Sequence, residues 1–175
     1  MRRGALVSRG NNVLFADADG ATRFSDLKKL ETKLNDIQGE NNHGLVCGSR
    51  AHLEKDSIAQ RSLFRTILMK GFHMCVWIFG CKTIEDTQCG FKLMTRNTAR
   101  VAFHSLHIER WAFDVELIKI AERIQIPTSE VSVNWTEIDG SKLDPLSASI
   151  QMFKDLFFLW LRYFTGVWRI VEKTD

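Results

Sequence analysis

Breakers and charge imbalance are both scarce in this sequence. Two prolines and 11 glycines among 175 residues are too few for a low-complexity or disordered chain, and 45% hydrophobic residues are enough to build a packed core. No internal repeat is present. One domain is therefore the expected organisation, domains of about 100–150 residues being the commonest size. Neither sign of charge dominates: 24 Lys+Arg against 21 Asp+Glu leave a net charge of +3, which argues against nucleic acid as a partner, because such a footprint needs basic residues clustered on one face. The cysteines Cys47, Cys75, Cys81 and Cys89 contain no Cys-x-x-Cys pair, so we expect reduced thiols rather than a disulfide framework or zinc site. Gly-x-Ser-x-Gly and P-loop patterns are missing, and the five histidines show no ligand spacing, which sets aside serine-hydrolase and P-loop chemistry. The opening Met1-Arg2-Arg3-Gly4 lacks the apolar stretch of about 7–15 residues found in a signal peptide, so no export signal is expected. Asn134-Trp135-Thr136 fits a glycosylation acceptor pattern that we expect to go unused.

What is present alternates between strand and helix. Asn12–Ala16 is a short apolar run ending in Asp17-Ala18-Asp19-Gly20, the profile of a buried strand that stops at a polar turn. Leu27, Leu30, Leu34 and Ile37 then recur at helical spacing behind Ser25, an expected cap, before Gly39 breaks the pattern. Strands are expected over Leu45–Gly48, Phe91–Thr95 and Glu130–Trp135, and helices over Asn97–Phe103 and Phe113–Ile124. The stretch Ile58–Phe79 reads as a long amphipathic helix or a broken pair, too charged to cross a bilayer. This order predicts an α/β fold with a mostly parallel sheet flanked by helices, whose sites lie at the carboxyl ends of the strands.

Several polar residues fall at those ends. Asp17 and Asp19 lie two apart after the first strand, so alternation points both carboxylates the same way. Such a pair suits Mg²⁺ or Mn²⁺, since a hard cation takes one or two carboxylates and completes its shell with phosphate and water; an exposed turn explains the same spacing equally well. Arg50 ends the next strand as part of Gly48-Ser49-Arg50, where it can hold a phosphate bidentately or stand as a solvated loop arginine. Asp86-Thr87-Gln88-Cys89-Gly90-Phe91-Lys92 is a polar loop entering a strand, with Gly90 permitting close backbone approach and Lys92 adding a cation, or an ordinary turn. Asp114 and Glu116 occupy the first turn of a helix, where the dipole stabilises carboxylates without any catalytic role. Asp139-Gly140-Ser141-Lys142 is a polar loop that serves either as a lid over phosphate or as a plain connector.

The C-terminal segment Ile150–Trp168 places Phe153, Leu156, Phe157, Trp160, Leu161 and Phe164 along one face. Its apolar run falls short of the roughly 20 residues needed to span a bilayer. Trp160, Tyr163 and Trp168 beside Arg162 and Arg169 suit the headgroup boundary, the competing expectation being a helix packed on the sheet or on a partner. This divides the chain into residues 1–145 and a membrane-interface helix over 146–175.

Taken in order, Asp17-Ala18-Asp19-Gly20-Ala21-Thr22, Gly48-Ser49-Arg50, Asp86 to Lys92, Arg110-Trp111-Ala112-Phe113-Asp114-Val115-Glu116, Val133-Asn134-Trp135 and Gly140-Ser141-Lys142 resemble the dolichyl-phosphate β-glucosyltransferases, inverting enzymes of glycosyltransferase family 2 with the GT-A fold. The resemblance implies a partial GT-A domain that transfers glucose from UDP-glucose to dolichyl phosphate at the cytosolic face of the endoplasmic reticulum membrane, supplying the donor for N-glycan precursor assembly. It implies a metal on Asp19, with Asp17 against the nucleotide or the metal's water shell. It also implies Arg50, Lys92, Ser141 and Lys142 around the donor and acceptor phosphates, and Asp114 near the acceptor. A phosphate monoester has a second pKa of about 6, so the acceptor needs no strong base; stabilising the departing UDP is the heavier task.

The same resemblance implies an N-terminal membrane helix and a first nucleotide-reading unit that have no counterpart here, so the chain is expected to be N-terminally truncated. Three expectations follow: an active glucosyltransferase, an inactive remnant acting as a membrane-associated or partner-binding protein, or an enzyme using GDP-mannose instead.

Overall fold

The computed structural model describes residues 1–39, 41–53, 70–71, 74–108, 112–136 and 145–170. Its elements are α1 (Arg2–Val7), β1 (Asn12–Ala16), a 3-10 turn (Phe24–Asp26), α2 (Leu27–Ile37), β2 (Leu45–Ser49), β3 (Phe91–Thr95), α3 (Arg96–Ser105), α4 (Phe113–Arg123), β4 (Thr128–Ser132) and α5 (Pro145–Phe164). Most of the expected Ile58–Phe79 helix lies outside the described residues; residues 70–71 and 74–79 are helical.

The strands form one sheet in the order β1-β3-β2-β4. β2 and β4 are parallel, whereas β3 is antiparallel to both of its neighbours, β1 and β2. Three strands thus share a direction, as a mostly parallel sheet requires, and β3 runs against them. The correction has a simple cause. The long connection from β2 to β3 returns to the sheet edge it left, so β3 can only run back. One rim therefore gathers the carboxyl ends of β1, β2 and β4 together with the amino end of β3.

Alternation along each strand sorts the core onto two faces. Val13, Leu45, Cys47 and Met94 face a cluster shared with α3, α4 and α5, which supply among others Phe103, Leu117, Ile118, Leu156 and Leu159. Val46, Phe91 and Leu93 face the opposite way, onto Leu30 and Leu34 of α2. These α2 leucines are at the expected helical spacing and completely buried, worth roughly 1.5–3 kcal/mol each. Ser25 does not cap α2: it lies within the 3-10 turn, and the cap position is Asp26, whose side chain makes no capping bond. Asp26 is spent instead on Asn134, accepting from its backbone N–H at 2.6 Å and its side-chain amide at 3.0 Å. The glycosylation-like triplet is thereby a structural tie. Arg23 N–H donates to Asn134 O, and Trp135 bridges to Thr22, fastening the segment after β4 to the turn after β1.

α5 is fixed by a buried carboxylate. Glu116, wholly inaccessible, accepts from the backbone N–H groups of His107 at 3.0 Å and Ile108 at 2.6 Å, meets His107 Nδ1 at 3.0 Å, and accepts from the Tyr163 hydroxyl at 2.9 Å. Tyr163 therefore points inward with Leu156 and Leu159, correcting its expected place at a headgroup boundary. Trp168 stacks on His107 with ring centroids 4.4 Å apart. The other side of α5 presents Phe153, Phe157, Phe158 and Phe164 to solvent. Among the described residues no helix is long and apolar enough to cross a membrane.

Glu116→Ala should lower the unfolding free energy by about 3 kcal/mol or more, since several buried donors lose their acceptor together, whereas Tyr163→Phe should cost only about 1 kcal/mol. Urea titrations followed by far-UV circular dichroism measure both, and equal small losses would contradict the clamp.

Candidate active site

The rim gathers most of the charged residues singled out in the sequence. β1 ends at Ala16, and the Asp17 N–H donates to Gly90 O at 2.8 Å. The Asp17 carboxylate lies against Gly90, in the space where a side chain at that position would begin. A Cβ there would collide with the carboxylate, so any larger residue displaces the Asp17 side chain from this place. Asp19 uses one oxygen to accept from Ala21 N–H at 2.9 Å, which shapes the turn. Burial, followed by the like charge of Asp19, raises the Asp17 pKa against the opposing pull of Lys92 and Arg50.

Arg50 leaves β2 at the same rim. Its Nε and Nη2 donate to the two oxygens of Asp86, both at 2.8 Å, and its backbone N–H donates to Asp86 as well at 2.8 Å. The guanidinium carbon sits 5.3 Å from the Trp135 ring centroid, a cation–π distance. Asp86 is held in turn: its N–H and that of Glu85 donate to the Glu130 carboxylate at 2.8 and 2.9 Å. Burial alone would raise the Asp86 pKa, but Arg50 outweighs it and holds the carboxyl below its ordinary range. A bidentate fork of this kind fixes the guanidinium plane.

Lys92 is the second residue of β3, and its side chain has no exposure. Its ammonium donates to Cys89 O at 2.7 Å and to Asp114 at 2.5 Å. Burial acts to lower the Lys92 pKa, yet Asp114 reverses this and raises it, so the ammonium is protonated at neutral pH. The Asp114 pKa is raised by burial against Lys92, with the Asp17 and Asp86 charges adding to the rise. The ammonium is thus not open to solvent as a phosphate-neutralising lysine would be. Its charge is felt at Asp17 from below the rim.

The structure brings Asp17, Asp19, Arg50, Lys92 and Asp114 together. Ser141 and Lys142 lie outside the described residues, as does the Arg110-Trp111 part of its motif. Both described cations of the site answer a carboxylate each, Asp86 and Asp114. Among the described residues neither Asp17 nor Asp19 makes an ion pair. Nor do three or more His, Cys, Asp or Glu side chains come together as a metal cage among the described residues. Two hard carboxylate donors, exposed and mutually repelling, suit a cation that draws one or two ligands from the protein and the rest from phosphate and water. Sequence reasoning did not assign Asp86, Glu130 and Trp135 to the site. Asp86 opens the loop motif and Trp135 closes the Val133-Asn134-Trp135 motif, so both were legible as motif residues, whereas Glu130 enters only through its bonds to the loop.

No protein-family model matches the chain. Over 173 residues it is 60% identical to a protein of Drosophila melanogaster and to one of Homo sapiens, both named dolichyl-phosphate beta-glucosyltransferase, each alignment covering 98% of this chain and 53% of the relative. A Saccharomyces cerevisiae protein of the same name is 42% identical over 180 residues, covering 99% of this chain and 54% of the relative. The chain spans about half the length of the curated relatives it matches.

Because the Asp86 pKa is depressed in the folded state, the stability it contributes is complete above the ordinary carboxylate value of about 3.9 and is lost as pH falls through the lower folded value. Asp86→Asn should remove that dependence, so that the stability difference between parent and variant narrows as pH falls below about 3.9 in chemical unfolding curves; a constant difference at every pH would contradict it. Gly90→Ala should leave the protein folded by circular dichroism and weaken Mn²⁺ binding, read by electron paramagnetic resonance, by displacing Asp17. Unchanged Mn²⁺ affinity would contradict the placement of Asp17.

Proposed function

We propose, from homology to the dolichyl-phosphate β-glucosyltransferases that runs through nearly all of this chain, that it carries the catalytic rim of an inverting glucosyltransferase moving glucose from UDP-glucose to dolichyl phosphate. The observation that carries this reading is the convergence of Asp17, Asp19, Arg50 and the buried Lys92–Asp114 pair on one edge of the sheet. Asp17 and Asp19 would hold Mg²⁺ or Mn²⁺, which supplies charge neutralisation for the departing diphosphate. Arg50, locked in plane by Asp86 and Trp135, orients the phosphate-binding edge. Lys92 lends positive potential from beneath while remaining dry, so it spends no energy on reorganisation during transfer. Asp114 positions the acceptor or the sugar through an oxygen whose partner is already fixed. With the acceptor phosphate largely dianionic at neutral pH, attack at the anomeric carbon needs orientation more than proton removal and proceeds with inversion in a single displacement.

Residues 146–175 serve this chemistry as the membrane-facing part, placing the rim at the cytosolic face of the endoplasmic reticulum membrane where a polyprenyl phosphate is found. The supporting observation is the exposed aromatic side of α5, with Phe153, Phe157, Phe158 and Phe164, together with exposed Trp77 and Ile78 on the segment whose Phe79 meets Phe153 and Phe157. This division is one of role, since Leu156 and Leu159 belong to the main core.

Incubated with Mn²⁺, radiolabelled UDP-glucose and dolichyl phosphate in detergent, the chain should form a chloroform-extractable labelled product, and Asp19→Asn should reduce the rate by at least about 100-fold if the metal stabilises the leaving group. Absence of product from a folded chain, or full activity of Asp19→Asn, would contradict the proposal.

A further inference from the structure

Beyond the rim, the C-terminal half of α4 and the last turns of α5 flank an open cleft of about 360 Å³, lined by Lys119, Glu122, Arg123, Trp160, Tyr163 and Phe164. That volume falls within the range of about 300–1,000 Å³ common for small-ligand sites. The cleft is separate from the ion pair, because helix rise sets Lys119 and Arg123 ~7.5 and ~13.5 Å beyond Asp114 along α4.

Its lining carries two cations, Lys119 and Arg123, against one acid, Glu122. Lys119 donates to the carbonyls of Phe79 at 2.8 Å and Gly80 at 3.0 Å, which leaves the third N–H of the ammonium for a ligand. Gly80 makes this approach possible: a Cβ there would meet Val115 Cγ1 at 2.5 Å and Val76 O at 2.7 Å. Arg123 is solvent-exposed, with its guanidinium carbon 5.5 Å from the Tyr163 ring centroid. Glu122, the only acid among the described residues of the lining, already accepts on one oxygen from Lys82 N–H, Thr83 N–H and the Thr83 hydroxyl, at 2.8, 2.8 and 2.7 Å. Among the described residues neither Lys119 nor Arg123 makes a salt bridge. Burial, with a weaker contribution from Arg123, holds the Lys119 ammonium below its ordinary range against the opposing pull of Cys81 and Glu122, and a bound anion would add to that opposing pull.

The opposite wall is aromatic. Trp160 stacks on Phe164 at 5.1 Å and meets Phe79 edge-on at 5.8 Å. Phe164 and Phe157 carry that wall onto the solvent-exposed apolar side of α5. A ligand that fits is therefore anionic at one end and apolar at the other.

We propose that this cleft seats the phosphate of an anionic lipid headgroup, with Arg123 and Lys119 taking its oxygens and Trp160 and Phe164 flanking the start of its apolar part. The site rests on the membrane-facing role of α5 proposed above and gives that surface a preference among lipids. Co-sedimentation of the chain with phosphatidylcholine vesicles, with and without phosphatidate, tests it, using the parent, Arg123→Gln and Arg123→Lys. Phosphatidate should tighten binding. Arg123→Gln should weaken that binding about tenfold, the loss expected for one charge-assisted contact, and Arg123→Lys should keep most of it. Equal binding to both vesicle types, or a phosphatidate gain untouched in Arg123→Gln, would overturn the headgroup site while leaving the membrane surface standing. No binding to either vesicle by a folded chain would overturn both. Competition by inorganic phosphate as strong as by soluble dihexanoyl phosphatidate would overturn the lipid as the source of the anion.

Discussion

A fully buried lysine ammonium can persist only beside a charge that replaces its lost water, and Asp114 is that charge for Lys92. Desolvating two ions costs several kcal/mol, so the pair is held by geometry rather than by Coulomb attraction alone. β3 must deliver Lys92 to the rim, the first turn of α4 must carry Asp114 to it, and the Cys89 carbonyl must accept a second bond. Each requirement constrains a neighbour. The loop from Asp86 to Gly90 has to turn tightly into β3, which brings Gly90 against Asp17 and Asp86 against Arg50. The charged rim follows from seating one cation in the dry interior.

α4 is the element through which the parts communicate. Its first residues supply Asp114 to the rim and Glu116 to the clamp on Tyr163. Its last turns supply Lys119 and Arg123 to the cleft under α5. One rigid helix thereby fixes the distance between the proposed chemistry and the surface proposed to meet the membrane, so a lipid-borne acceptor would arrive at a set height above the sheet.

Much of this was legible in the residues. β1 and β3 follow the apolar runs Asn12–Ala16 and Phe91–Thr95 to the residue, and α2 follows the leucine spacing, because local pattern decides short buried strands and amphipathic helices. Strand direction was not legible: the reversal of β3 depends on where a long connection returns, which no local pattern encodes. The same limit hid the partners of the site residues. Asp17, Arg50, Lys92 and Asp114 stand out by type and position, but that Arg50 is spent on Asp86, and Lys92 on Asp114, is decided by packing between segments far apart in sequence. Tyr163 looked like an interfacial residue because composition does not reveal which side of an aromatic helix meets a buried carboxylate.

A double-mutant cycle on the buried pair tests this account most directly, comparing Lys92→Met, Asp114→Leu and the double variant in urea unfolding at neutral pH. Each single change should cost about 3–5 kcal/mol by stranding a buried charge, and the double should cost clearly less than their sum. Additive costs would show that the two residues do not depend on each other, and the rim would need another explanation.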